Sequence, residues 1–216
     1  MGTEQRKQRE FRRREREILD AALPLLSGAD WLTVTVEQIA EAAEVGKGTV
    51  YKHFDSKEEI YGRLALDFHR GVLQELREID PALSVVDRLR AMVKVFWEQY
   101  WTRREYQAVV EYTARENFRR GMSARLKQAY DEFNEEQQTL YASVLEEGMK
   151  QGIFRRQPLE QAFLGPQAMI NGLILMIWSG CFETRPAERF IEDMTDFMLA
   201  GMIYQDAVRK HLRGAA

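Results

Sequence analysis

Lys47, Gly48, Thr49, Tyr51, Lys52 and His53 crowd one short stretch, offering cations, hydroxyls and one position with no side chain. Groups of this kind bond phosphate oxygens, and small residues beside donors permit close approach to base edges in a major groove. Val50 and Phe54 are the apolar members of the same stretch, four residues apart. A helix starting near Lys47 would bury only those two and turn the six others outward. Upstream, Thr35 followed three residues later by Gln38 makes a capping-box start, and Val36, Ile39, Ala40 and Ala43 mark one apolar stripe at helical spacing. Between the two helices the chain must turn at Glu44-Val45-Gly46, with Val45 as an apolar plug and Gly46 leaving room for the next helix to begin. Downstream, Ser56 and Glu59 form a second capping box, and Lys57 beside the free N–H groups of that helix start suits a phosphate. Two short helices around a tight turn, the second with a small, basic outer face, are the build of a DNA-reading helix-turn-helix. Its candidate contacts are Thr35, Gly46, Lys47, Gly48, Thr49, Tyr51, Lys52, His53 and Lys57.

On Ile39-Ala40, Ala43, Val45, Lys47-Gly48-Thr49-Val50-Tyr51, His53-Phe54 and Ser56-Lys57-Glu58-Glu59, with Trp31 ahead of the first capped helix, the chain resembles the tetracycline-repressor (TetR) family of bacterial transcription regulators. The resemblance covers roughly residues 11 to 64, and beyond it only length and helical texture agree. It departs from the family pattern at Glu44, where glycine is usual, at Gly46, where serine is common, and at Asp30 and Pro24. What it implies is a homodimer whose last two helices form a four-helix interface, and a body that holds a small-molecule effector cavity.

Other chemistry finds little support. Gly46-Lys47-Gly48-Thr49 lacks the earlier glycine of a phosphate-binding loop, having Glu41 there, and has Gly48 where a Ser or Thr must follow the lysine. His53, His69 and His211 have no metal-ligand companions at usable spacing, and Cys181 sits in an apolar run without a local base. No catalytic residue, metal or cofactor is expected. The single cysteine cannot form an internal disulfide, so a reducing cytoplasm is the expected compartment. No apolar run follows the N-terminal charges as a signal peptide would require. Residues 161 to 182 are uncharged and long enough to span a bilayer, but Gln161, Pro166, Gln167, Asn171 and Ser179 interrupt them, so a buried helix at a subunit interface is expected and no membrane contact.

Net charge is −3, which excludes a surface coated in positive charge. The basic charge is local: residues 5 to 16 carry seven Arg or Lys against two Glu, directly ahead of the reading helices. Such a segment either lies along phosphates or enters a minor groove as an arm, or it is a frayed, solvated tail.

Periodicity is helical almost throughout, so the fold is expected to be all-α: an N-terminal three-helix DNA-binding head over residues 11–70, joined to a larger helical effector-binding and dimerisation body over 71–216. Phe11, Ile18, Leu19, Ala22, Leu25 and Leu26 form the stripe of a first helix that contains Pro24 and ends at Ser27-Gly28. The helix after Ser56 runs to about Ile79 and is the expected transmission element, and Asp80-Pro81 breaks the chain after it. Further helices are expected around Leu89 to Tyr100, Tyr106 to Thr113, Ser123 to Gln151, across the uncharged run, and from Ala187 to Leu212.

Ten of the 46 residues from Phe96 to Tyr141 are aromatic, against 11% of the chain. For any one of them ordinary core is the simpler reading; as a group they suit an apolar pocket with a few polar handles. The candidate effector residues are Trp97, Tyr100, Trp101, Tyr112, Asn117, Tyr130, Phe133 and Asn134. The expected function is a repressor that binds a palindromic operator as a homodimer and is released by a small apolar or aromatic effector. The alternative is a DNA-binding protein of the same fold whose body docks a protein partner and takes no effector.

Overall fold

The computed structural model describes residues 2–28, 30–181 and 187–202, and among them the regular structure is helical with no strand. The expected extension of the last helix to Leu212, with Ile203 and His211, lies outside the described residues.

Helix α1 (Gly2–Leu26) leads into a 3-10 turn at Trp31–Thr33, then α2 (Val36–Ala42), α3 (Lys47–His53) and α4 (Lys57–Arg77). Next come α5 (Val85–Thr102), a 3-10 turn at Arg104–Tyr106, α6 (Gln107–Thr113) and α7 (Glu116–Gly121). The long α8 (Ala124–Lys150) is followed by α9 (Leu159–Trp178) and α10 (Ala187–Met202). The all-α architecture is as the periodicity predicts.

The chain forms two compact units. The first takes the residues up to Gly71 together with Arg103–Asn134; the second takes Val72–Thr102 and the described residues from Glu135 onward. The first unit thus includes α6, α7 and the start of α8 along with the helices up to Gly71.

In the first unit Ile18, Leu19, Ala22 and Leu26 of α1 are buried with Ile39 and Ala40 of α2, Val50 of α3 and Ile60, Leu64 and Phe68 of α4. Each of the larger side chains among these contributes roughly 1.5–3 kcal/mol on burial, which is how α2 and α3, too short to be stable alone, are held. Pro24 stands in the last turn of α1, where only one donor is lost; Ser27 closes the end through its N–H and hydroxyl, both donating to the Leu23 carbonyl at 3.0 and 2.6 Å. Gly62 lets α8 dock: a Cβ there would overlap the buried Leu126 side chain, and the Tyr130 hydroxyl donates to the Gly62 carbonyl at 3.2 Å.

The second unit packs α5 against α9 and α10. Val85, Leu89, Met92, Val93 and Trp97 of α5, Leu173 and Ile177 of α9, and Phe190, Ile191 and Met198 of α10 are its buried face. Arg88, buried on α5, pairs with Glu147 of α8, so its charge is compensated.

Candidate nucleic-acid interface

Residues 35–57 build the site from the end of the α1 bundle outward. The Thr35 hydroxyl accepts from the Gln38 N–H at 3.3 Å and the Gln38 side chain accepts from the Thr35 N–H at 2.8 Å, a complete capping box at the start of α2. At the other end of α2 the Glu44 N–H donates to Glu41 O at 3.0 Å and the Val45 N–H donates to Ala40 O at 2.9 Å. These two bonds are the Schellman pattern, which needs a left-handed residue one position past the cap. Glu44 supplies it, with φ +53°.

The turn thus differs from the expectation that Gly46 frees it. Gly46 has φ −72° and ψ 146°, an extended conformation open to any residue, and a Cβ on it would meet nothing within 4 Å. The conformational demand falls two residues earlier because α2 ends sooner, at Ala42, and its two closing bonds fix the next residue. Val45 is half-buried, consistent with a plug.

On α3, Val50 and Phe54 are buried at 1% and 2%, and Lys47, Gly48, Tyr51 and Lys52 are exposed on the other side, as the spacing predicts. Thr49 is half-buried at the edge of that face. A Cβ at Gly48 would meet nothing, so the outer face is flat there. Lys47 pairs with Glu37 of α2, whose carboxyl is held below the usual carboxylate range by that ammonium. Lys52 forms no ion pair among the described residues and is the open cation of the helix.

Two candidates sit differently from the expectation. His53 does not face outward: only 8% exposed, its ring lies 4.0 Å from that of Phe11, and burial holds its pKa below the ordinary histidine value. Spacing within α3 could not show this, because the covering ring comes from α1. Lys57 is half-buried, and its ammonium donates to Leu32 O at 3.1 Å and Val34 O at 2.8 Å, bracing the segment that leads into α2. The expected second capping box is offset by one residue: Ser56 Oγ accepts from the Glu59 N–H at 3.2 Å, but the Glu59 carboxylate accepts from Asp55 N–H at 2.8 Å.

The family model described as bacterial regulatory proteins, tetR family, matches residues 18–64, the span from the middle of α1 into α4. The HTH-type transcriptional repressor KstR2 of Rhodococcus jostii (strain RHA1) is 30% identical to the chain over 143 residues, 66% of this chain and 68% of that one. The HTH-type transcriptional repressor NicS of Pseudomonas putida is 26% identical over 139 residues, 64% of each. Among solved structures, the fatty acid degradation regulator FadR from Bacillus halodurans shares the fold with a TM-score of 0.67 at 19% identity, over 88% of this chain and 97% of that one. The chain belongs to the tetR family.

This tetR-family protein is therefore a DNA-binding transcription regulator and not an enzyme. No helix among the described residues is long and apolar enough to cross a membrane.

The candidate effector residues of this regulator fall into both units. Trp97, Tyr100 and Trp101 belong to the second: the Trp97 ring stacks on Trp101 at 5.2 Å and lies 4.5 Å from Phe190, and Tyr100 lies 5.4 Å from Trp178, whose indole N–H donates to the Tyr100 carbonyl at 3.3 Å. Tyr112, Asn117, Tyr130, Phe133 and Asn134 belong to the first. Tyr112 lies 4.7 Å from Tyr61 and 5.5 Å from Trp31, and Phe133 stacks on His69 at 5.9 Å. Asn117 and Asn134 are exposed. Sequence density alone could not sort these aromatics, because α5 and α8 each supply rings at the same helical spacing to different surroundings.

Proposed function

We propose that this regulator is a repressor acting as a two-fold homodimer on a palindromic operator, released when a small apolar or aromatic effector binds. One observation carries the dimer. Leu164, Leu175 and Met176 on α9 and Phe197 on α10 are 70%, 64%, 45% and 69% exposed, an apolar outer face on the same two helices that bury their other side in the second unit. Scattered apolar exposures are ordinary, whereas a continuous face marks an interface. Gly165, Ala168 and Gly172 share the exposed side of α9, and Cβ atoms at Gly165, Gly172 and Gly201 would meet nothing, leaving room for a second copy to approach closely.

In the head, Lys47, Gly48, Thr49, Tyr51 and Lys52 are the proposed DNA contacts, together with Thr35, whose hydroxyl caps α2 and bonds the Glu37 carboxyl. Gly46, His53 and Lys57 take positioning roles in the turn, behind α3 and under α2. A helix as short as α3 reads few base pairs, so two heads one helical turn apart, about 34–36 Å, are needed for a selective site. The proposed effector group is Trp97, Tyr100 and Trp101, supported by their packing with Phe190 and Trp178 in the unit that carries the dimer face.

Sedimentation of the full chain tests the dimer. The wild type is expected to sediment as a dimer and a Leu175→Glu, Phe197→Glu variant as a folded monomer; a monomeric wild type at tens of micromolar rejects the reading. Native mass spectrometry of the purified protein tests the effector, and release of the retained small molecule on adding operator DNA is the expected result, since binding linkage is reciprocal.

A further inference from the structure

Helix α1 begins well ahead of the family match at residue 18 and runs unbroken from Gly2. This removes two of the choices the basic run leaves open. Residues 5 to 16 are not a loose tail, and a helix some 10–12 Å across with its side chains cannot enter a minor groove about 6 Å wide. The helix is also fixed at a definite place: Phe11 covers His53 at the C-terminal end of α3, and Glu15, Ile18 and Leu19 behind it are buried. Residues 2–10 then carry α1 about 14 Å past that anchor at 1.5 Å per residue.

The charges on residues 5 to 16 divide into two sets. Arg13 pairs with Glu10 and Glu17, Arg14 with Glu17, and Arg16 with Asp67. Arg6, Lys7, Arg9 and Arg12 are exposed and form no ion pair among the described residues. Residues 2–10 hold no hydrophobic side chain, so a lipid surface would gain no buried apolar area from them. A row of open cations on a helix that touches the C-terminal end of the recognition helix through Phe11 fits a polyanion that the recognition helix already holds.

We propose that the N-terminal part of α1, up to Arg12, is an accessory DNA contact, in which Arg6, Arg9 and Arg12 engage backbone phosphates beside the stretch read by α3. The proposal rests on DNA binding by the head. It predicts extra affinity without sequence information, because phosphates carry none.

The test measures the dissociation constant of the full-length chain for a random-sequence duplex across a series of salt concentrations. Each phosphate neutralised contributes about 0.9 to the slope of log K against log salt. An Arg6→Gln, Arg9→Gln, Arg12→Gln variant is expected to lose about 2–3 units of slope per protomer, whereas the three corresponding lysine substitutions and Lys150→Gln keep the wild-type slope. A glutamine variant with the wild-type slope overturns the proposal, and so does a lysine variant that loses as much as the glutamine one. Lys52→Gln separates the two readings: a loss there with none in the triple variant rejects the projection alone, and no loss in either rejects the head contact on which it depends.

Discussion

Glu44 and Gly152 occupy the same position at the ends of two different helices, one residue past the cap, with φ +53° and +73°. After α8, the Gly152 N–H donates to Met149 O and the Ile153 N–H to Gly148 O, the same pair of bonds that Glu44 and Val45 make after α2. Gly152 adopts this conformation freely, whereas a residue with a Cβ does so at a cost of roughly 1–2 kcal/mol. Glu44→Gly relieves that strain and loses part of the gain to the extra freedom of glycine in the unfolded chain. A net stabilisation of about 0.5–1 kcal/mol is expected in urea unfolding, with DNA affinity unchanged. A lower unfolding midpoint would show that Glu44 makes a compensating contact.

Gly148 faces a different constraint. Its backbone is ordinary helix, but a Cβ there would overlap the ring of Phe154, which is buried at 4% where the chain folds back after α8. Gly148→Ala is expected to destabilise by about 1–3 kcal/mol, the usual cost of overpacking, although alanine is the better helix former. Adding Phe154→Leu should recover part of the loss, and a stabilised single variant would contradict the packing.

Acid sensitivity follows from the two described histidines. Burial pushes the His69 pKa down to about 4 from 6.5, and burial lowers that of His53 as well. Well above pH 6.5 both are neutral folded and unfolded, so their contribution is flat. Between 6.5 and about 4 the unfolded chain takes up a proton at His69 that the folded one refuses, so stability falls as pH falls through this window. His69→Phe, which preserves a ring against Phe133, is expected to flatten the dependence of the urea midpoint on pH between about 7 and 4.5. An unchanged dependence would place the acid sensitivity in the carboxylates.

These residues also show what the sequence could disclose. The two capped helix starts, the buried pair Val50 and Phe54, and the exposed set on α3 are consequences of neighbours three or four positions apart, and they were readable because both partners lie in one short segment. What stayed hidden came from distant chain. Phe11 covers His53, the Leu32 and Val34 carbonyls hold Lys57, and Leu126 seats on Gly62; no periodicity in α3 or α4 encodes those encounters. The assignment of α6, α7 and the start of α8 to the first unit is of the same kind: Tyr112 of α6 meets Trp31 and Tyr61, and Leu126 and Tyr130 of α8 meet Gly62. The left-handed turn is hidden for another reason. Glycine is the local signal for that conformation, and the chain has its glycine at 46 and its positive φ at 44.

Lys57 now has a double expectation. Its ammonium already satisfies two carbonyls, so Lys57→Met should cost stability of about 1–3 kcal/mol by leaving them unpaired, more than an exposed lysine would. Its effect on the salt slope of DNA binding should be smaller than that of Lys52→Gln, whose cation is open. If Lys57→Met lowers the slope by a full unit and leaves stability unchanged, Lys57 is a phosphate ligand first and a brace second.

Tyr51 is the test of sequence reading. It is 48% exposed in the middle of α3, beside the flat position at Gly48, with the Lys47 ammonium 5.7 Å from its ring. Lys47 itself is paired with Glu37, so its cation is partly neutralised within the head. A ring in that setting can lie against a base edge or a thymine methyl, whereas a tyrosine that merely hydrogen-bonds a phosphate would contribute equally on every sequence. Tyr51→Ala is expected to cost about 1–3 kcal/mol on an operator selected by the wild-type protein and little on random duplex, while Tyr51→Phe should retain most of the affinity if the ring face carries the contact. Equal losses on both duplexes would make Tyr51 a positioning residue. Sequence preference would then have to come from Thr49 and from the close approach that Gly48 permits, a narrower basis that a Gly48→Ala variant would expose directly.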